Sequence, residues 1–288
     1  MFRSFAQPRP RRKITLEDGR RRLFTAILGL AALVAAFAAG GLAARAAGTE
    51  TVRLGVIAGA EEEIAEVVKQ VAARDGLEVE IVTFQDYVLP NEALAAGDLD
   101  ANAFQHQPYL DAQIAAHGYD IVNVGYTIVE PIGIYSTRVK RLADLAEGAK
   151  LGIPNDPSNG GRVLNLLARE GVIELAPGKG LTPTLLDITA NPKKLEIVEL
   201  DAAQLPRAVP DLDAAAINGN YAHDAGFDPT KDAIAIESRT DNPYGNFVAA
   251  RAADAQAPRI RKLVAAYQSD EVKAFLAERF KGAILPAW

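Results

Sequence analysis

The stretch "ANAFQHQPYL", Ala101 to Leu110, brings a phenylalanine, a histidine and a tyrosine within six residues, and its His106 is one of three histidines in the chain. A histidine so placed could ligate a metal, act as a general base, or form one polar wall of a pocket. A zinc site would pair it with a second histidine or a carboxylate at short helical spacing. His117 is eleven residues on and His223 lies in another segment. There is no HExxH, no G-x-S-x-G elbow and no phosphate loop, so neither hydrolytic nor nucleotide chemistry has its usual residues. Asp98 and Asp100 could be paired carboxylates, but "AAGDLDAN" is turn-rich, and aspartate serves turns without catalysis. No metal, cofactor or catalytic residue is expected.

A second stretch suits binding. "IPNDPSNGGR", Ile153 to Arg162, reads as a strand end followed by glycine-rich backbone that opens a helix. A helix N-terminus offers unpaired N–H groups and partial positive charge. Arg162, read as first-turn, adds a planar fork that can grip a carboxylate. Asn159 could contact the same ligand or simply cap the helix. Taken singly, Arg162 would suit a surface salt bridge better than a ligand.

The elements that must position these residues follow from periodicity. "TVRLGVIAG" is a β-branched run ending in glycine, and "LEVEIVTF" is a second strand. Between them Ile64, Val67, Val68 and Val71 recur at helical spacing, with Glu61, Glu62 and Glu63 complementing the helix dipole. "PNEALAAGDLDA" reads as a short helix and turn. "KLGIPND", "LEIVEL", "DAAAINGNYA" and "NFVAAR" read as further strands, and "APRIRKLVAAYQSDEVKAFLAERF" as two helices. This alternation predicts an α/β fold. "VEPIGIYSTRVKRLADL" leads into a second α/β block and "DAIAIESRTDNPYGNFVAAR" leads back. The expected arrangement is a discontinuous first lobe, 47–131 with 240–288, and an inserted second lobe, 132–239, with a cleft between them that closes by hinge motion.

Residues 1–46 form a different kind of segment. Arginines crowd its start, "LFTAILGLAALVAAFAAGGLAA" is uncharged, and Ala44-Arg45-Ala46 is a small-x-small exit, which together read as an export signal. "GRRRLF" resembles a twin-arginine signal. The 22 uncharged residues are also long enough to stay as a membrane anchor. Beyond residue 46 there are 22 Lys/Arg against 35 Asp/Glu, an acidic balance that argues against nucleic acid as a partner. The composition, 49% hydrophobic and 24% charged, is that of a globular chain.

"FQDYVLPNEALAAGDLDANAFQHQPYL", "GIPNDPSNGGRVL", "AAINGNYAHDAG" and "NPYGNFVAAR" occur in this order and spacing, and together they resemble the NlpA/MetQ family of methionine-binding subunits of bacterial ABC importers. The resemblance covers about Thr51 to Trp288. It implies a two-lobed periplasmic-binding-protein fold, type II-like, each lobe a mixed sheet flanked by helices. It also implies methionine in the cleft. Carried over by residue, Tyr87, Phe104, His106 and Tyr109 would line the first lobe's wall, and Arg162 would bind the α-carboxylate. Asn220 and Asn246 would complete the polar end, with Asn159 and Tyr244 nearby. A thioether favours aromatic edges, which Phe104, Tyr87 and Tyr109 could supply.

The implied protein is a monomeric solute-binding subunit without enzymatic activity, whose partners are the small-molecule ligand, an ABC permease and its ATPase. Another amino acid, a dipeptide or a small sulfur-containing anion remains an alternative ligand, and a periplasmic enzyme on the same scaffold an alternative class. Loss of Arg162 is expected to abolish binding and leave the fold intact. Two departures from the family pattern stand out. Glycine occupies positions 161 and 245, where members often carry larger residues, which could loosen the pocket. Members are mostly lipoproteins whose signal ends at a cysteine, and the chain has none. The sequence therefore predicts a non-lipoprotein, free in the periplasm or held by an uncleaved helix.

Overall fold

The computed structural model describes residues 50–288; the expected signal or anchor in 1–46 lies outside them. Two mixed sheets organise these residues. The first is built from β1 (Glu50–Ile57), β2 (Leu77–Phe84), β3 (Ala101–His106), β4 (Ile121–Val129), β12 (Gly245–Arg251) and β13 (Leu285–Pro286), in the order β13-β4-β12-β3-β1-β2. β1 lies parallel to β2 and β3, whereas β12 runs antiparallel to β3 and β4. The second contains β5 (Gly133–Tyr135), β6 (Lys150–Pro154), β9 (Glu196–Leu200), β10 (Ala214–Ile217) and β11 (Ala233–Ile236), in the order β11-β5-β10-β6-β9. β6 is parallel to β9 and β10, and β5 is antiparallel to β10 and β11. A small ribbon pairs β7 (Glu174–Leu175) with β8 (Ile188–Ala190).

Helix α1 (Ala60–Arg74) forms where the periodic apolar run predicts it. Ile64, Val68 and Ala72 recur every four residues and are fully buried against the first sheet, together with α7 (Pro258–Tyr267) and α8 (Asp270–Phe280). Each buried branched side chain contributes about 1.5–3 kcal/mol, so a charge at Ile64 would break this layer. The sheet's other face is covered by α2 (Leu89–Ala96) and α3 (Gln107–His117), through Leu94, Leu99, Leu110 and Phe247. Covered on both faces, β3 buries all six of its residues. That is why "ANAFQH" has no alternating pattern, and a strand there went unread in the sequence.

In the second sheet, α4 (Pro157–Arg169) packs Val163, Leu164 and Leu167 on β6 and β10. The short helices α5 (Leu205–Ala208) and α6 (Gly219–Asp224) complete the α-helices of the described residues. A further apolar cluster takes residues from both sheets: Ile57, Phe104 and Tyr109 from one side, Tyr135, Ile217 and Tyr221 from the other. The polar cavity described next lies at this junction. Among the described residues no helix is long and apolar enough to cross a membrane.

Candidate functional site

A polar cavity is lined by residues of both sheets and their adjoining helices and loops: Tyr87, Phe104, Gln105, His106, Tyr109, Glu130, Asn159, Arg162, Asn218, Gly219, Asn220 and Asn246. Eight of the nine sequence-predicted residues meet here. The ninth, Tyr244, lines a neighbouring groove instead. It lies between two of the eight, with its ring 4.2 Å under the Arg162 guanidinium and 5.0 Å from the His106 ring.

The aromatic wall is a packed set of rings. Tyr87, Phe104 and Tyr109 stand 5.9 to 6.1 Å apart between centroids, and Tyr221 adds a fourth ring 5.0 Å from Tyr87. Their phenols are anchored. Tyr109 donates to the Tyr87 carbonyl at 2.8 Å, and Tyr87 donates to Asn220 Oδ1 at 2.6 Å, bridging the sheets. Burial raises the pKa of all three tyrosines, so each stays a neutral donor. Behind the wall, Asn91, Asn102 and Gln105 bond to one another at 2.6 to 3.0 Å, tying α2 to β3.

His106 ends β3 and caps α3, its Nδ1 accepting the Tyr109 N–H at 3.3 Å. An imidazole accepting at Nδ1 carries its proton on Nε2, and Nε2 faces Asn159 Oδ1 at 3.2 Å. Burial, then the Arg162 charge, pushes the imidazole pKa down to about 3. The ring is thus a neutral donor. Asn246 lies beside it, in register on β12.

The opening of α4 departs from the sequence reading in three respects. The helix starts at Pro157, so Arg162 sits in its second turn. Its cap is Asp156, which accepts the Asn159 N–H at 2.8 Å, so Asn159 is not the cap. The fork of Arg162, expected to be open, is forked on Glu237: Nε to Oε1 at 2.8 Å and Nη2 to Oε2 at 2.5 Å, both side chains being buried. Nη2 also reaches the Glu130 carbonyl at 2.9 Å. Nη1 makes no hydrogen bond among the described residues.

Four lining residues were missed by sequence reasoning: Gln105, Glu130, Asn218 and Gly219. Glu130 directly follows β4, with Oε1 buried and unpartnered. Burial, with Asp224 adding, pushes its carboxyl up to about 8 against the opposing pull of Arg162. Its signal was a single carboxylate in the otherwise uncharged "VGYTIVEPIGIYS". Asn218 caps no bond of its own helix and donates to Asn159 Oδ1 at 3.0 Å, leaving its Oδ1 buried without a partner. Gly219 is required between them, since a Cβ there would lie 2.8 Å from that of Glu130. Glu61, read as a first-turn residue complementing the helix dipole, does stand in the first turn of α1, where it is buried and accepts the Ile57 N–H at 3.1 Å.

The two unusual glycines do not loosen the cavity, because neither lines it. A Cβ at Gly161 would meet Thr182 Cα at 2.7 Å and the Leu181 carbonyl at 2.9 Å, so the loop against α4 requires glycine. Gly245 has only ordinary contacts, at 3.4 Å or more, with Tyr126 and Ala287.

The unpartnered buried atoms show what the cavity can hold. Glu130 Oε1 and Asn218 Oδ1 are acceptors, and Asn220 Nδ2 is a donor. With the Arg162 guanidinium, which also lines the cavity, they offer two acceptors and two donors around one space, beside aromatic rings. Leaving such groups unpaired costs about 1–3 kcal/mol each, a cost removed by a ligand carrying both a donating and an accepting end.

Two mixed sheets meeting at a polar cavity define the two-lobed periplasmic-binding-protein fold. The chain belongs to the NlpA lipoprotein family, whose model matches residues 52–288. It is 47% identical over 268 residues to the D-methionine-binding lipoprotein MetQ of Salmonella typhimurium, spanning 92% of this chain and 98% of that protein. It is 49% identical over 240 residues to the protein of the same name from Escherichia coli K12, spanning 82% and 88%. Among solved structures it resembles a nutrient binding protein from Burkholderia cenocepacia bound to methionine. That match has 54% identity and a TM-score of 0.81, and covers 82% of this chain and all of the other.

These names correct one expectation. The sequence predicted a protein that is not a lipoprotein, yet the family is one of lipoproteins and both curated relatives are named so. A missing cysteine removes one residue type and one attachment chemistry. It does not place a chain outside a lipoprotein family.

Proposed function

We propose that this protein captures methionine in the cavity between its lobes and delivers it to an ABC permease, performing no chemistry itself. The observation that carries this reading is the set of two buried acceptors and two donors beside an aromatic wall. A zwitterionic amino acid matches it: the ammonium group faces Glu130 and Asn218, and the carboxylate faces Arg162 Nη1 and Asn220. Asn246 sits at the same polar end. The thioether lies against Phe104, Tyr87 and Tyr109, whose polarizable faces and edges suit sulfur. The names of the relatives, and the methionine held by the Burkholderia neighbour, support this choice of ligand.

In this reading 47–131 with 240–288 form one lobe and 132–239 the other, and ligand binding closes them. The closed form is the one that docks, as a monomer, on the permease, whose ATPase supplies the energy. Cavity residues held as neutral phenols, a neutral imidazole and paired or buried charges are suited to holding a ligand rather than turning it over.

The test is mass spectrometry of the small molecule released when protein purified without added ligand is denatured. Methionine, L or D, supports the reading. Another amino acid, a dipeptide or a sulfur-containing anion as the bound species would replace methionine. Conversion of added methionine to a product would overturn the non-enzymatic role.

A further inference from the structure

The hydrogen bonds of the cavity run in one direction, and a residue outside the cavity sets it. Asp156 accepts twice from Asn159: Oδ1 from the backbone N–H at 2.8 Å and Oδ2 from Nδ2 at 2.9 Å. An ionised carboxylate can only accept, so the Asn159 amide must turn its nitrogen to Asp156 and its oxygen to the cavity. That oxygen receives His106 Nε2 at 3.2 Å and Asn218 Nδ2 at 3.0 Å. At the far end, His106 Nδ1 accepts the Tyr109 N–H at 3.3 Å, which fixes the ring as the Nε2–H tautomer. A carboxylate holds one end of the chain and a backbone N–H the other. Each amide and ring between them then has a single consistent orientation, which leaves Asn218 Oδ1 as the unpartnered acceptor.

We propose that Asp156, which does not line the cavity, is a positioning residue that sets this polarity through Asn159. It thereby aims Asn218 Oδ1 at the ligand's ammonium group and keeps His106 donating from β3 to α4 across the two sheets. The ammonium part rests on the amino-acid reading of the cavity; the polarity of the chain does not.

Asp156→Asn isolates this role. Asparagine is an equally good helix cap and nearly isosteric, but it offers one oxygen where two are used. If that oxygen caps the helix, its NH₂ faces the Asn159 NH₂, and the Asn159 amide must flip toward two donors. Asn218 must then rotate, and His106 Nε2–H loses its acceptor. Asp156→Ser keeps the cap and removes the second oxygen, leaving the Asn159 amide unsteered.

The experiment measures ring-nitrogen NMR of the three histidines, with His106 assigned by difference from His106→Gln, and calorimetric titration with L-methionine. Both are done on wild type, Asp156→Asn and Asp156→Ser, with thermal melting alongside. Wild type should show His106 as the Nε2–H tautomer with a ring proton protected from exchange. In both variants that protection should be lost, and L-methionine affinity should fall about ten-fold, the loss of one hydrogen bond to a charged group. If Asp156→Asn melts early, Asp156→Ser with wild-type melting decides the question. Protection retained in a folded variant, or affinity within two-fold of wild type, overturns the proposal. If wild type fails to bind methionine but ring protection is lost in the variants, the polarity role of Asp156 stands and the ligand assignment fails.

Discussion

The guanidinium of Arg162 is forked against the carboxylate of Glu237, Nε to Oε1 at 2.8 Å and Nη2 to Oε2 at 2.5 Å, with side-chain exposures of 3% and 8%. This pair joins α4 to the segment that leads from β11 to β12, and Glu237 also accepts the Ile132 N–H at 3.2 Å. Arg162 therefore holds the framework together as well as facing the cavity.

That relationship changes what Arg162→Ala should do. Removing one partner strands a buried charge, which costs about 3–5 kcal/mol. The variant should lose ligand binding and also unfold at lower urea concentration, contrary to a fold left intact. Arg162→Ala combined with Glu237→Gln should recover a large part of the stability without recovering binding. Urea titration followed by circular dichroism checks this; an Arg162→Ala midpoint equal to wild type would refute the framework role.

Among the buried groups through which pH acts on the stability of the ligand-free protein, His106 and Glu130 act with opposite signs. Burial lowers His106 from 6.5 to about 3. Below pH 6.5 the unfolded chain therefore binds a proton that the native state does not, and stability falls as pH drops. Glu130 is raised from 4.5 to about 8. Here the native state keeps a proton that the unfolded chain has lost, so stability falls as pH rises from about 4.5 to about 8. The groups acting on Glu130 are Asp224 from α6, Arg162 from α4 and Glu61 from α1, itself raised by burial. The two slopes oppose each other between about pH 4.5 and 6.5 and leave a net loss above that. Melting temperatures across this range should fall on the alkaline side, and Glu130→Gln should flatten that limb. An unchanged limb would mean Glu130 is ionised in the folded protein.

Gly161→Ala should destabilise without touching ligand choice. The added methyl meets backbone at 2.7 and 2.9 Å, and overpacking of this kind costs about 1–3 kcal/mol. Lower melting with unchanged relative affinities for a panel of amino acids is the expected outcome. Altered selectivity would return Gly161 to the pocket wall.

Much of this molecule was legible in its sequence where one physical signal dominated. Ile64, Val67, Val68 and Val71 gave α1 because one helix face packs on the core, and the runs "TVRLGVIAG" and "LEVEIVTF" gave β1 and β2. β3 was unreadable as a strand because burial on both faces removes alternation. The aromatic and polar liners were visible as residue types within recurring motifs. Their partners were not, because hydrogen-bond partners 53 to 133 residues apart in the chain leave no local pattern, as with His106–Asn159 and Tyr87–Asn220. Arg162 was read as an open fork for the same reason: Glu237 lies 75 residues away. Glu130 was within reach, since a lone carboxylate inside an apolar run must either be exposed at an edge or serve a site.

The central claim is that the cavity recognises both charged ends of a free amino acid. Calorimetric titration of ligand-stripped protein with L-methionine, N-acetyl-L-methionine and L-methionine amide tests it most directly. Methionine should bind, and each blocked analogue should bind at least about a hundred-fold more weakly, because a buried acceptor or donor is then left unpaired. Binding of either analogue within about three-fold of methionine, a difference below about 1 kcal/mol, would contradict it.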